Sequence, residues 1–270
     1  MATGTVYLEA VARRPGAAWG ESFPFDVPAI AGLEKIEFRC PVTFFIGENG
    51  SGKSTLLEAL AAGLSATAVG RHQIGSDPTL APARALAKCF VFSRRRHAKQ
   101  RMFFRAEDAF GFTNRVIEEM QDLRREEGEI AGQFRDGSYA QSLAVGVVRG
   151  QRRAYANRYG DNPDGYSHGE TFLGVLKSRL VPGGLYLLDE PETPLSPGRV
   201  LALISLIKAM VEEGCQFIIA THSPILMALT DAEILLFEGS EIAPIAYEDT
   251  EHVRLTRAFL NDPQRYLRQL

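Results

Sequence analysis

One stretch of the chain combines glycines, a lysine and hydroxyl side chains in the order of a phosphate-binding loop. Its members are Gly47, Glu48, Asn49, Gly50, Ser51, Gly52, Lys53, Ser54 and Thr55. The glycines allow successive backbone N–H groups to turn inward around an anion, and the dipole of a following helix favours the same charge. Lys53 can reach the β- and γ-phosphate oxygens, and Ser54 can ligate Mg²⁺. The stretch therefore predicts a site for a nucleoside triphosphate with Mg²⁺.

The residues around this loop predict the elements that must position it. Residues 42–46 form an apolar run typical of a buried strand, and residues 56–60 open a helical pattern. Glycine-rich turns between a strand and a helix also occur without a nucleotide. The presence of both Lys53 and Ser54 favours phosphate binding over that alternative.

Two carboxylates follow a second apolar run, at residues 185–188. Asp189 can hold Mg²⁺, directly or through water, and Glu190 can orient or deprotonate a water that attacks the γ-phosphate. Apolar runs that end in Asp-Glu also occur for purely structural reasons. Downstream of a phosphate loop, the functional interpretation is favoured.

A histidine follows a third apolar run, at residues 217–220. In an open α/β sheet, the carboxyl ends of the strands form the ligand-binding edge. His222 is therefore predicted to contact the γ-phosphate or the attacking water, although a lone histidine is more often structural.

A polar turn at residues 166–170 begins another helix. Ser167 and Glu170 have the spacing of a capping box, which is a structural role. The hydroxyl of Ser167 and the N–H groups near Gly169 can also form a second phosphate site.

Taken in order, these segments resemble the ATPase domain of the ABC superfamily, in particular its soluble SMC/RecF-like branch and stand-alone predicted ATPases of the "AAA family". Residues 167–170 are similar to the LSGGQ signature, with His for the first Gly and Glu for Gln. Asp189 and Glu190 resemble the Walker B motif with its glutamate, and His222 resembles the switch histidine. Residues 25–60 and 101–107 are similar to a small bacterial family of predicted ATPases.

The resemblance implies an α/β fold of the P-loop NTPase type. The expected core is a mixed or parallel sheet with an N-terminal antiparallel portion and a helical insert lobe. It also implies ATP hydrolysis with Mg²⁺ in a head-to-tail homodimer, in which Lys53 and Ser54 of one copy and Ser167, Gly169 and Glu170 of the other enclose each nucleotide. Glu190 would be the base, Asp189 would hold the metal and His222 would sense the γ-phosphate.

The sequence departs from the family pattern at three points. Residues 193–196 lack the aspartate that the family has after its Walker B motif. The metal-contacting glutamine of the family is missing, and Gln100 and Glu107 are the candidates for its place. Glu107 is favoured as a metal ligand because it follows an apolar run. Tyr7 and Trp19 could stack on adenine, but both are predicted to be packing residues.

The pattern predicts one ATPase domain, 1–270, with a nucleotide-binding core at 1–68 and 166–270 and a helical or irregular insert at 69–165. Within the insert, residues 113–130 are predicted to be helical, and the glycine-rich residues 132–165 are predicted to be irregular. Helices are also expected at 169–180 and 197–213, and a hairpin at 234–246 precedes a C-terminal helix.

Composition restricts the partners and the location. The chain has 30 Lys and Arg against 33 Asp and Glu, so its net charge of −3 exerts no general attraction for nucleic acid. Basic clusters at 94–101 and 149–158 lie near aromatic residues, but a solvated surface balanced by glutamates is favoured. The three cysteines are predicted to be buried free thiols in a reducing compartment. Without a secretory signal or a membrane-length apolar run, the expected location is the cytoplasm, with no membrane insertion.

Two other functions remain open. The chain could be the nucleotide-binding subunit of an ABC transporter, although its charged, glycine-rich insert does not suggest a groove for a membrane partner. It could also be the ATPase of a DNA-repair or antiphage-defence complex. The effector protein that the ATPase would act on is unknown from the sequence.

Overall fold

A seven-stranded, largely parallel sheet forms the centre of the fold. The computed structural model of the chain describes residues 5–68, 77–159 and 168–268. The strands in this part of the chain are β1 (Leu8–Arg13), β2 (Lys35–Glu37), β3 (Val42–Gly47), β4 (Thr67–Ala68), β5 (Phe90–Arg94), β6 (Arg101–Arg105), β7 (Leu185–Asp189), β8 (Gln216–Ala220), β9 (Glu233–Glu238) and β10 (Glu241–Pro244). The central sheet has the order β10-β9-β3-β8-β7-β6-β4. Only β10 runs antiparallel to its neighbour.

Helices cover both faces of this sheet. Those in the described part are α1 (Pro28–Ala31), α2 (Lys53–Gly63), α3 (Ala81–Lys88), α4 (Ala106–Gly132), α5 (Tyr139–Tyr159), α6 (His168–Arg179), α7 (Pro197–Glu212), α8 (Pro224–Met227), α9 (Glu251–Asn261) and α10 (Pro263–Leu267). The alternation of strands and helices confirms the predicted α/β fold of the P-loop type. None of the helices in the described ranges is long and apolar enough to cross a membrane.

The central strands are apolar throughout because each of them is buried on both faces. Alternate residues point to opposite sides, so Phe45 and Leu187 join the core beneath α2 and α3. Phe44 and Leu188 join the other core, beneath α6 and α7. This double burial explains why strands β3, β7 and β8 were recognisable as short unbroken apolar runs.

A smaller antiparallel sheet, with the order β2-β1-β5, carries the N-terminal strand. Gln216 links it to the central sheet through a fully buried side chain. Its Oε1 accepts hydrogen bonds from the backbone N–H groups of Tyr7 (2.7 Å) and Leu8 (2.9 Å), and its Nε2 donates to the carbonyl of Leu8 (3.0 Å). One amide side chain thus satisfies three buried backbone groups at the seam between the sheets.

The prediction of irregular structure across 132–165 is wrong for residues 139–159, which form α5. Ser138 caps this helix, because its Oγ accepts the N–H of Gln141 at 3.1 Å while Gln141 accepts the N–H of Gly137 at 2.9 Å. Val145 and Val148 bury one side of the helix. Capping and packing therefore outweigh the low helix propensity of the glycines in this segment.

The helix predicted at 113–130 is longer than expected and spans residues 106–132 as α4, and β6, inside the predicted insert, belongs to the central sheet. Several other predicted elements are close to those observed. Helix α7 ends at Glu212, helix α6 spans most of 169–180, and β9 and β10 form the expected hairpin before α9. The three cysteines are free; Cys89 and Cys215 are buried, and Cys40 is partly exposed.

Candidate nucleotide-binding site

Three parallel strands of the central sheet end side by side and bring the predicted motifs to one edge. Phe45 of β3 and Asp189 of β7 both pair with Ala220 of β8, so the strands are in register. The phosphate loop, the Asp189–Glu190 pair and His222 follow directly after these ends. The edge at the carboxyl ends of parallel strands is where α/β sheets bind ligands.

The loop has the backbone conformation that its glycines predict. Gly47 has a φ of +141°, and a Cβ atom there would lie 2.4 Å from the carbonyl oxygen of Phe237. Gly52, at φ +102°, leads into α2, and a Cβ there would lie 2.9 Å from the side chain of Val27. Other residues at these positions would be strained, and a side chain would crowd the cradle. Asn49 and Gly50 lie exposed at the tip of the loop.

Lys53, the first residue of α2, is 4% exposed and folds back over its own loop. Its Nζ donates hydrogen bonds to the carbonyls of Gly47 (2.9 Å) and Glu48 (2.7 Å). Burial lowers the pKa of Lys53, while the nearby carboxylates of Glu190 and Asp189 act in the opposite direction. The ammonium group is thus held at the mouth of the loop by acceptors that an incoming phosphate can replace.

Ser54 and Asp189 come together from separate parts of the chain. The Ser54 Oγ donates a hydrogen bond to Asp189 Oδ1 at 3.0 Å. Burial raises the pKa of Asp189 from 3.8 to about 6, although the Ser54 hydrogen bond opposes that change. A hydroxyl and a carboxylate are the oxygen ligands that Mg²⁺ prefers, so this pair fits the predicted ion. The loop side chain Ser51 adds a buried Oγ that has no hydrogen-bond partner among the described residues.

Glu190 has an unusual backbone conformation, with a φ of +47°. A non-glycine residue in the left-handed region is uncommon and strained, and such residues cluster at functional sites. Its side chain is 41% exposed, and its Oε1 lies 3.6 Å from Nε2 of His222. The turn therefore presents a solvent-accessible carboxylate beside the imidazole.

Glu192, which the sequence interpretation missed, orients the segment that carries His222. Its Oε1 accepts hydrogen bonds from the Thr221 hydroxyl (2.5 Å) and from the backbone N–H of His222 (2.9 Å). Burial raises the pKa of Glu192 and lowers that of His222. A lowered pKa favours the neutral form of the His222 ring. The only sequence signal for Glu192 was its position two residues after Glu190.

For several predicted site residues, the structure describes no side-chain position. Ser167 lies outside the described residues, and so do the side chains of Glu107 and Glu170. Residues 168–170 lie in the first described turn of α6 (His168–Arg179). Their contacts with a nucleotide therefore stay predictions.

Gln100 lies at the wrong end of the sheet to contact the metal. The next residue, Arg101, pairs with Leu185 at the beginning of β7, whereas Arg105 pairs with Asp189 at its end. Arg105 also forms an ion pair with Glu58 of α2 at 2.7 Å. Residues that follow β6, not those that precede it, are next to the site.

The two aromatic candidates for stacking on adenine are both packing residues. Tyr7 is 9% exposed, and its hydroxyl donates to the carbonyl of Gly214 at 3.0 Å. Trp19 packs edge-on against Phe25, with ring centroids 5.3 Å apart, and the Arg13 guanidinium lies 3.9 Å above its ring.

An open cavity of about 570 Å³ lies beside the phosphate loop. Its walls are formed by the loop, by the end of β9 and by the start of α9. The lining residues are Pro28, Ile46, Gly47, Glu48, Asn49, Gly50, Ser51, Leu236, Phe237, Glu238, Gly239, Ile245, Asp249, Glu251 and His252. A cavity of this size is within the range of small-molecule sites.

Two known protein families match the two parts of the chain that form this site. A family described as "AAA domain" matches residues 25–130, which include the phosphate loop. A second, described as "AAA domain, putative AbiEii toxin, Type IV TA system", matches residues 171–228, which include Asp189, Glu190 and His222.

Individual relatives align over most of the chain. The nopaline permease ATP-binding protein P of Agrobacterium fabrum is 23% identical over 79% of this chain and 81% of its own length. The cobalt import ATP-binding protein CbiO of Salmonella paratyphi A is 26% identical over 87% of this chain and 84% of its own length. The Smc head domain of Pyrococcus furiosus, solved bound to the C-terminal domain of ScpA, superposes with a TM-score of 0.45 at 11% identity over 96% of this chain and all of that one. With the phosphate loop and the parallel sheet described above, the family and sequence matches support the assignment of the chain to the P-loop ATPases of the ABC superfamily.

Proposed function

We propose that the chain uses Mg²⁺-dependent ATP hydrolysis to open and close a head-to-tail homodimer. The observation that carries this proposal is the convergence of three motifs at one sheet edge. Ser54 Oγ lies 3.0 Å from Asp189 Oδ1, and Glu190 Oε1 lies 3.6 Å from His222 Nε2.

The loop is suited to hold the triphosphate of ATP. Backbone N–H groups of residues 47–53 and the N-terminus of α2 surround the anion. Lys53 exchanges the carbonyls of Gly47 and Glu48 for phosphate oxygens. Ser54 and Asp189 are the residues that would hold Mg²⁺, and the ion would neutralise charge on the phosphates.

Glu190 and His222 are suited to act on the attacking water. The Glu190 carboxylate is exposed to solvent, so it can accept a proton from a water molecule or orient that water. His222 lies next to it and has a buried Nε2 without a hydrogen-bond partner in the described part of the chain. A neutral imidazole at this point can donate a hydrogen bond to the γ-phosphate and so distinguish ATP from ADP.

A second copy of the chain would complete the site. The predicted signature, Ser167, Gly169 and Glu170, would face the nucleotide of the opposite copy. The tip of the phosphate loop is exposed, which leaves it accessible to such a partner. ATP would favour the closed dimer because it contacts both copies only in that state.

The test is the Glu190→Gln variant, studied by steady-state ATPase assay and by light scattering with Mg-ATP and with Mg-ADP. We expect hydrolysis to fall by about 10²- to 10⁴-fold, because the base is lost. Nucleotide binding should persist, and the solution mass should double with Mg-ATP only. Retained hydrolysis would exclude Glu190 as the base. A monomer with ATP bound would overturn the homodimer.

The similarity to importer ATP-binding proteins favours a second candidate function, that of a transporter's nucleotide-binding subunit. Such a subunit works only with a membrane partner. Co-purification with a membrane protein, together with ATPase activity that rises in its presence, would support this function over the soluble homodimer.

A further inference from the structure

A second histidine, His252, contacts the side of His222 that faces away from Glu190. The distance from His222 Nδ1 to His252 Nε2 is 3.1 Å, which is a hydrogen-bond length. The two ring centroids are 5.2 Å apart with an interplanar angle of 57°. The three side chains thus lie in the order Glu190, His222, His252, with one nitrogen of the central ring facing each neighbour.

The hydrogen-bonding rules of imidazole decide where the protons must lie. A hydrogen bond between two neutral rings needs one protonated and one bare nitrogen at the contact. An ionised Glu190 can only accept, so a bare Nε2 on His222 would place lone pairs against the carboxylate. The arrangement that suits both neighbours therefore has the proton of His222 on Nε2. Its bare Nδ1 then accepts the Nε2–H of His252.

The residues around His252 hold the start of α9 in place. The next residue, Val253, is 2% exposed and joins the core beneath α6 and α7. Just before it, the Thr250 hydroxyl donates to the carbonyl of Tyr247 at 2.9 Å. The Tyr247 hydroxyl donates in turn to the carbonyl of Pro224 at 3.1 Å, two residues after His222. The start of α9 is thereby tied to the segment that carries His222.

We propose that His252 is a positioning residue that fixes His222 in the tautomer with its proton on Nε2. Only this tautomer can donate a hydrogen bond to the γ-phosphate, since a bare nitrogen would repel an anion. A neighbour that selects the tautomer of a working histidine is a common requirement at active sites. The inference rests on the proposed role of His222, and it assigns a function to the C-terminal helix α9.

The direct test is the ¹⁵N NMR spectrum of the histidine side chains in the full chain, which has only five histidines. Protonated and bare ring nitrogens have well-separated shifts, so the spectrum reports the tautomer without any assay of activity. We expect the Nε2–H form for His222 in the wild-type protein and a mixture of both forms in His252→Phe. The exposed His97→Phe serves as the matched control and should leave the His222 signals unchanged. An Nδ1–H form of His222 in the wild type would overturn the proposal.

Steady-state kinetics of His252 variants test whether His252 acts through its hydrogen bond to His222 or only packs against that ring. Phe at position 252 keeps an aromatic ring but cannot donate, so kcat should fall by about 10- to 100-fold, the range seen when the hydrogen-bond partner of a metal-bound histidine is removed. The Kd for ATP should change little. His252→Gln places an amide N–H near the same point and should restore most of kcat. An unchanged kcat in His252→Phe would show that the ring only packs.

The two proposals fail in different ways. If Glu190→Gln hydrolyses ATP normally, the catalytic assignment of Glu190 is wrong, yet the NMR spectrum still reports whether His252 selects the tautomer. If Glu190→Gln is inactive and His222 has its proton on Nδ1, the catalytic assignment stands and the role of His252 is wrong.

Discussion

At the scale of single residues, the site contains charged groups whose burial is unfavourable in the protein alone and would be offset by a ligand of opposite charge. Lys53 is almost fully buried and is bonded only to backbone carbonyls within the described structure. Burial raises the pKa of Asp189, even though a hydroxyl bonds to it. A divalent ion beside Asp189 and a triphosphate beside Lys53 would add opposite charge next to each of these groups.

The Asp189→Asn variant should therefore be more stable than the wild type in the absence of nucleotide, and the difference should grow with pH. The folded-state pKa of Asp189, about 6, lies above its ordinary value of 3.8, so the folded protein binds this proton more tightly than the unfolded chain does. Below pH 3.8 the carboxyl group is protonated in both states, and its burial in charged form does not lower the free energy of unfolding. Between pH 3.8 and pH 6 the free energy of unfolding of the wild type falls progressively. Above pH 6 the full loss is reached, and a pKa raised this far corresponds to a loss of at most about 3 kcal/mol.

Urea unfolding of both proteins at pH 4.5 and pH 7.5 measures this difference. We expect the variant to exceed the wild type by about 1–3 kcal/mol at pH 7.5 and by much less at pH 4.5. Asp26→Asn, at an exposed carboxylate, is the control and should show no such trend. A difference that is the same at both pH values would show that Asp189 titrates as it does in the unfolded chain.

The sequence identifies a site residue only when that residue directly follows a recognisable strand or lies in a recognisable loop motif. Lys53, Ser54, Asp189 and His222 follow recognisable strands, so their positions could be predicted. His252 could not be, because it reaches the site through the packing of α9 against α8, and nothing in residues 247–253 marks that contact. Long-range neighbours of this kind depend on the tertiary fold rather than on spacing.

At the scale of elements, glycines have opposite roles in helices α2 and α5. A Cβ atom at Gly63, the last residue of α2, would lie 2.0 Å from the ring of Phe92. A Cβ atom at Gly150, inside α5, would meet nothing within 4 Å. Gly63 permits a close approach between α2 and the middle of β5, whereas Gly150 only lowers the helix propensity of α5.

The same substitution should therefore change stability in opposite directions at these two sites. Gly150→Ala should raise the free energy of unfolding by up to about 1 kcal/mol, because alanine has the higher helix propensity. Gly63→Ala should lower it by about 1–3 kcal/mol, because the Phe92 ring must move. Chemical denaturation of the two variants measures both changes, and each variant is the control for the other. A stabilised Gly63→Ala would mean that the Phe92 ring relaxes at no cost.

Helix α5 also shows why one element escaped prediction. Glycines and polar residues at 132–165 suggested irregular structure, whereas the informative signal was the pair Ser138 and Gln141, which has the spacing of a capping box. The central strands were easier to predict from the sequence, because burial on both faces leaves an unbroken apolar run.

At the scale of the whole molecule, basic residues of both clusters pair with glutamates in the described part of the chain. Glu127 on α4 neutralises Arg149 (2.9 Å) and Arg152 (3.1 Å) on α5. Arg95 lies 3.9 Å from Glu9. With a net charge of −3, these pairs favour the solvated-surface interpretation of the basic clusters over a nucleic-acid interface.

Nucleotide should stabilise the entire chain, since the loop, β7 and β8 belong to one sheet. A ligand at about 100 times its Kd adds about 2.7 kcal/mol to the free energy of unfolding, which for a chain of this size raises Tm by roughly 5–10 °C. We expect this rise with Mg-ATP in a thermal scan of the wild type. Lys53→Ala should lose most of it, because the variant lacks the cation that contacts the phosphates.

The dependence of this Tm on protein concentration distinguishes nucleotide binding by a single copy from nucleotide-driven association of two copies. If ATP closes a dimer, Tm of the Glu190→Gln variant with Mg-ATP should rise as the protein concentration is raised, because dissociation accompanies unfolding. With Mg-ADP, the variant should show a Tm that is independent of concentration. A Tm that rises with Mg-ATP but never depends on protein concentration would mean that one copy of the chain binds the nucleotide alone, and the predicted role of Ser167 and Gly169 across a dimer would then be wrong.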